Sequence, residues 1–233
     1  MSSFVGNLRQ QKVGGLAALY LAAAYIVAMP YFIVFVKYQD VVDPAEKVAM
    51  LVGNHVSMQV MYLITYVILG IVLAVLALAL YSRLRDKAPT LTQAATVAGL
   101  MWAFVLVASG MIFNAGVAAV VEHNAASPAQ AVSAWQAIEP VAQGLGGSGG
   151  ELLGGLWVLL VSIAALRTGG LPKALNWLGV LIGAAGILSV VPALRDLGYG
   201  FGLLQIVWFI WLGIVMLRTT ARHDDLGTDR HKS

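Results

Sequence analysis

The sequence predicts an all-α, polytopic membrane bundle of six transmembrane helices with both termini on the cytoplasmic side. Three observations lead there. The 233-residue chain is 60% hydrophobic and 11% charged, with a mean hydropathy of +0.83. A soluble domain carries about 25% charged residues, and so few charges cannot cover a water-facing surface. Second, the apolar residues gather into runs of about 20, the length that crosses a hydrocarbon core of about 30 Å. Third, the basic residues fall almost entirely on one side of those runs.

The six expected spans are Val13–Val36, Val56–Tyr81, Ala94–Val121, Leu145–Leu166, Ala174–Leu194 and Tyr199–Leu217. Helix is the expected state because lipid offers no partner to backbone N–H and C=O groups. No run alternates as a barrel strand would. The first run follows Arg9 and Lys12 but exceeds the apolar region of a secretory signal, about 7–15 residues. It reads as a retained span, with a kink expected at Pro30. Residues 1–219 form one six-helix domain, and 220–233 a polar, mobile cytoplasmic tail.

Orientation follows from Lys and Arg, which favour the cytoplasmic side. With the N-terminus inside, the inner segments hold Arg9, Lys12, Arg83, Arg85, Lys87, Arg167, Lys173, Arg218, Arg222, Arg230 and Lys232. The outer segments hold Lys37, Lys47 and Arg195, a split of 11 against 3 among 14 basic residues. The net charge of +3 is small, and no nucleic acid partner is expected. The absence of cysteine excludes disulfides, thiolate metal sites and a cysteine nucleophile.

Two outer segments are expected as loops. Lys37–His55 carries Asp40, Asp43, Pro44 and Glu46. Glu122–Gly144 carries Pro128, Trp135, Glu139 and Pro140. In the second, Val132, Trp135 and Ile138 recur every three residues, which suits a short helix on the membrane surface; a loop packed over the bundle fits equally. Small residues let membrane helices approach closely. Gly154 and Gly155 in the fourth span and Gly179 and Gly183 in the fifth are the expected contact points.

Polar side chains within spans face the protein interior. His55, Gln59, Tyr62 and Tyr66 are spaced by 4, 3 and 4 and share one helical face. Asn114 and Glu122 align on the third span, with His123 beside Glu122. A fourth helix starting after Glu151 would be too short to cross, so Glu151 is expected inside the outer leaflet, where a carboxylate must be paired, hydrogen-bonded or protonated. His55, Gln59, Tyr62, Asn114, Glu122 and Glu151 are therefore the candidate ligand-binding residues of an outward-facing polar pocket. His55, His123 and Glu151 are the candidate metal ligands, because imidazole and carboxylate together bind divalent ions. The competing reading is an interhelical hydrogen-bond network that fixes packing. A haem between His55 and His123 is a further option, although no cofactor is called for.

Gly146-Gly147-Ser148-Gly149 resembles the nucleophile motif of rhomboid intramembrane proteases, six-helix bundles with the serine at the outer end of helix 4. Their serine works with a histidine on helix 6. Tyr199–Leu217 contains no histidine, and a serine without a base is a poor nucleophile. Proteolysis is not expected. Three stretches are more specific: Glu151-Leu-Leu-Gly-Gly-Leu-Trp157, Arg167-Thr-Gly-Gly-Leu-Pro-Lys-Ala-Leu175 with Leu178-Gly-Val-Leu-Ile-Gly183, and Phe201-Gly-Leu-Leu-Gln-Ile-Val-Trp-Phe-Ile-Trp-Leu-Gly213. They are similar to a bacterial membrane family named domain of unknown function 4386. The resemblance covers residues 150–218 best and implies a six-helix bacterial plasma-membrane protein, but it brings no catalytic or binding residues.

Three function classes follow. The favoured one is a non-enzymatic accessory, assembly or packing subunit, partnered by the lipid bilayer and by copies of itself or a larger membrane complex. The second is a binder or carrier of a small or lipidic ligand, or a metal ion, in the outward-facing pocket. The third is an intramembrane enzyme, which lacks a complete catalytic set.

Overall fold

A computed structural model describes residues 2–38, 40–146 and 150–229, and among them every regular element is helical. Helix α1 (Ser2–Pro30) passes into a π-helical turn over Tyr31–Phe35, then come α2 (Pro44–Gly53) and α3 (His55–Tyr62). A second π turn, Leu63–Ile68, joins α3 to α4 (Leu69–Leu84). There follow α5 (Pro89–Ala126), α6 (Pro128–Gly146), α7 (Gly150–Thr168), α8 (Lys173–Leu188) and α9 (Leu197–Asp229). Among the described residues, five stretches are long and apolar enough to cross a membrane: Arg9–Phe35, His55–Leu84, Pro89–Ala126, Pro128–Thr168 and Leu197–Arg218. The fourth takes in residues 147–149, outside the described set.

The fifth expected span is shorter than its apolar run. Helix α8 has 16 residues, about 24 Å at 1.5 Å each. It stops because Val191 is extended ahead of Pro192, which opens a 3₁₀ turn over Pro192–Leu194. A residue before proline is pushed away from the helical region. Neither expected outer loop is simply a loop. Pro44–Gly53 is helical because Asp43 accepts from the N–H groups of Ala45 and Glu46 and Pro44 occupies the first turn. Pro128 likewise occupies the first position of α6. Pro30, where a kink is expected, directly precedes the π turn, in which the Val36 N–H donates to the Tyr31 carbonyl at 2.9 Å. The expected tail begins helical, since α9 runs on to Asp229.

The chain forms two compact units. The first comprises 1–22, 72–101 and 152–233. In it, a Cβ added at Gly155 would lie 2.8 Å from Gly183 O, and one at Gly183 would lie 2.8 Å from Gly155 O. The backbones of α7 and α8 thus touch where the expected small residues sit. Trp157, Trp208 and Phe209 pack as an aromatic core, with the two indoles 5.8 Å apart and edge-to-face. At one end of the unit, Arg83 donates from Nε to Gly170 O at 2.9 Å and from Nη1 to Gln11 Oε1 at 2.9 Å. Gln11 donates to Ala79 O, and Lys87 to Thr168 O. These cations meet carbonyls left over at the C-terminus of α7, where the helix dipole favours positive charge.

The second unit comprises 23–71 and 102–151. Its core is built from Val48, Leu51, Met58, Tyr62, Phe113, Val117, Val120, Ala131 and Trp135. Helices α2 and α6 pack against each other. The Val132–Trp135–Ile138 face of α6 is therefore a protein-facing one: Trp135 is buried, and Val132 and Ile138 pack against the same core.

Candidate functional site

All the candidate residues named from the sequence fall in the second unit, and their surroundings differ sharply. Tyr62 belongs to the core. Its ring lies flat on Phe113 with centroids 4.4 Å apart, and Phe32 stacks at 5.5 Å. Tyr66 meets both Tyr62 and Phe113 edge-on. The expected polar row on α3 is thus largely an aromatic stack below its first turn.

His55 and Gln59 point their polar atoms at backbone. His55 Nδ1 lies 2.8 Å from Val52 O, a bond that closes the junction between α2 and α3. Gln59 Nε2 donates to Asn114 O at 3.4 Å. This bond links α3 to α5 across 55 positions of sequence. The Asn114 side chain is different: its Oδ1 and Nδ2 are buried and have no hydrogen-bond partner among the described residues. Buried amide atoms without a partner cost about 1–3 kcal/mol.

Glu122 and His123 lie at the exposed end of α5. The His123 carbonyl accepts from Ser127 N at 2.7 Å, which ends the helix before Pro128. Glu151 stands in the first turn of α7, which begins one residue earlier at Gly150, and it is half-buried. A carboxylate there suits the positive end of the helix dipole. Among the described residues no three histidine, aspartate or glutamate side chains gather closely enough to hold a metal ion. Gly147, Ser148 and Gly149 of the rhomboid-like motif lie outside the described residues.

The strongest polar cluster was not singled out from the sequence. Tyr38 Oη donates to Glu139 Oε1 at 2.7 Å. Trp135 Nε1 donates to Tyr38 Oη at 3.1 Å. Lys47 Nζ pairs with Glu139 at 3.2 Å and sits 4.9 Å from the centre of the Tyr38 ring. Four segments meet here: the chain after α1, α2, and two successive turns of α6. Burial pushes the Tyr38 phenol above its ordinary value, and the neighbouring Tyr62 hydroxyl and Glu139 carboxylate push the same way. The phenol stays protonated and remains a donor to Glu139. One signal was available: Trp135 and Glu139 are four apart and share a helix face. The others are remote, Tyr38 lying 101 positions and Lys47 92 positions from Glu139.

Chemically, this cluster holds a neutral phenol, a paired carboxylate and an indole N–H. Each main donor has an acceptor and each charge a partner, so the group ties helices together and leaves no base or nucleophile poised for a substrate. Comparison with known proteins gives one match. The family described as Domain of unknown function (DUF4386) matches residues 15–217, most of the chain. No curated protein and no solved structure matches it.

Proposed function

The chain belongs to the DUF4386 family, and on that premise we propose that it is a non-enzymatic, six-span packing or assembly subunit of the bacterial plasma membrane, with both ends in the cytoplasm. The observation that carries the reading is the Tyr38–Glu139–Lys47–Trp135 cluster, in which polar groups that resemble site residues are satisfied by one another. Such networks fix helix packing. His55 and Gln59, bonded to backbone carbonyls, support the same use of polarity. The 11-to-3 distribution of basic residues supports the orientation, and α8 serves as the sixth span by local thinning or by shielding within a complex. No cofactor enters this reading. The test is purification from membranes under mild conditions with cross-linking and mass spectrometry. A stoichiometric protein partner, or a defined homo-oligomer, is the expected result. A monomer that carries a stoichiometric small molecule would overturn it.

A second reading, a binder of a small or lipidic ligand beside Asn114, is favoured by one observation: the buried and unpartnered Asn114 amide next to Gln59. It predicts that Asn114→Leu abolishes retention of a co-purifying molecule. Unchanged retention would dismiss it.

A further inference from the structure

In the first unit, polar atoms gather around Gly179 on α8, outside the unit that holds the candidate residues described above. Ser162 of α7 and Trp208 of α9 both approach this glycine. A Cβ there would clash with Ser162 Oγ and lie 2.8 Å from Trp208 Nε1. Gln205 lies three residues before Trp208 on α9, hence on the same helix face. Gln205 and Ser162 are buried, with 0% and 1% of their surfaces exposed, and Trp208 is 1% exposed. Ser162 Oγ, Trp208 Nε1 and both amide atoms of Gln205 have no hydrogen-bond partner among the described residues.

Two of these groups also lie mid-way along an apolar stretch. Gln205 and Trp208 flank the centre of the Leu197–Arg218 stretch. Polar residues near the middle of a span are expensive and are kept where something satisfies them. A buried polar group left without a partner is destabilising, and here three side chains are in that position together. A guest that bonds to them removes the penalty.

The chemistry of the three side chains defines that guest. The Gln205 amide offers two donors and an acceptor, the Trp208 indole one donor, and the Ser162 hydroxyl one donor and an acceptor. All three are neutral, so none offers a counter-charge to an ion. Donors outnumber acceptor atoms, which calls for a guest rich in lone pairs. The close approach of Ser162 and Trp208 to Gly179 restricts its size. We propose that Gln205, Ser162 and Trp208 form an intramembrane hydration site holding ordered water between α7, α8 and α9. A water molecule accepts two bonds, donates two, and bridges about three buried polar groups in such sites.

The test uses the full chain in lipid nanodiscs. Magnetic resonance would look for transfer of magnetisation between water and the Trp208 indole N–H, assigned by its loss in Trp208→Phe. The expected result is a water cross-peak at Trp208 that is lost in Gln205→Leu, while the other indole signals keep their positions and so report an intact fold. A density map that shows ordered water should place a peak within hydrogen-bond distance of Gln205 and Trp208. No water cross-peak at Trp208 in the unaltered chain would overturn the proposal, as would a map in which the Gln205 amide bonds directly to Ser162 or Trp208. A lipid carbonyl at the same position would also overturn it.

Discussion

Replacing Tyr38 with phenylalanine removes one oxygen atom and two hydrogen bonds. The first is donated to the Glu139 carboxylate at 2.7 Å, and bonds to charged groups contribute about 1.5–3 kcal/mol. The second is accepted from Trp135 Nε1 at 3.1 Å. Trp135 is 1% exposed, so its N–H would be left unpaired in the core, at about 1–3 kcal/mol. The two effects share an atom and do not simply add; Tyr38→Phe should cost about 3 kcal/mol. Glu139→Gln keeps an acceptor oxygen for Tyr38 but removes the charge that pairs with Lys47. That ion pair is about one-fifth exposed on each side, so solvent screens part of it, and the expected cost is about 1–2 kcal/mol. Because both substitutions act on the same bond, the double variant should cost less than their sum by about 1 kcal/mol. The assay is reversible unfolding in mixed micelles titrated with a denaturing detergent, followed by tryptophan fluorescence. Additivity within about 0.3 kcal/mol would refute the claim that Tyr38 and Glu139 act as one unit.

Other expectations follow from the same contacts. The Tyr38 phenol is raised in the folded state, so its contribution is complete below the ordinary phenol value of about 10 and is lost as pH rises beyond it. Stability of the unaltered chain should therefore fall above that pH more steeply than stability of Tyr38→Phe; identical alkaline slopes would contradict it. Gly155→Val would force the backbones of α7 and α8 apart at Gly183 and should lower stability by about 2–3 kcal/mol, whereas Gly53→Ala, with open space around it, should change little; equal effects in a thermal unfolding assay would argue against the close contact. The chain has no cysteine, so Asp86→Cys and Ala129→Cys each introduce a single thiol. In intact cells an impermeant maleimide should label Ala129→Cys and spare Asp86→Cys; the reverse pattern, or labelling of both, would contradict the proposed orientation.

What could be read in the sequence was what repeats along it. Apolar runs located the long helices, and α5 contains the expected third span entirely. Small residues located the contact of α7 with α8, because Gly155 and Gly183 sit where hydrophobic packing leaves no room for a Cβ. Helix α2 escaped because its buried face is short, with Val48 and Leu51 alone fully buried, too little for a hydropathy pattern to reveal. Its Asp43-Pro44 start was nevertheless a readable cap. Helix α6 was legible in part: the recurrence of Val132, Trp135 and Ile138 suited a short helix, but Glu139 and Pro140 look like loop residues until Tyr38 and Lys47 arrive to satisfy the carboxylate. The α3 polar row was overread: spacing places Tyr62 on a face but says nothing of Phe113, which turns that face into an aromatic core. The π turns, set by backbone bonding over one extra residue, left no trace in composition.

The central claim is that polarity in this chain serves to hold helices and subunits together. Native mass spectrometry of the chain released from nanodiscs tests it most directly. The expected result is a defined assembly, either homo-oligomeric or with a stoichiometric protein partner, that persists as lipid is stripped. A lone chain whose mass exceeds its sequence by one small molecule, lost on Asn114→Leu, would contradict it.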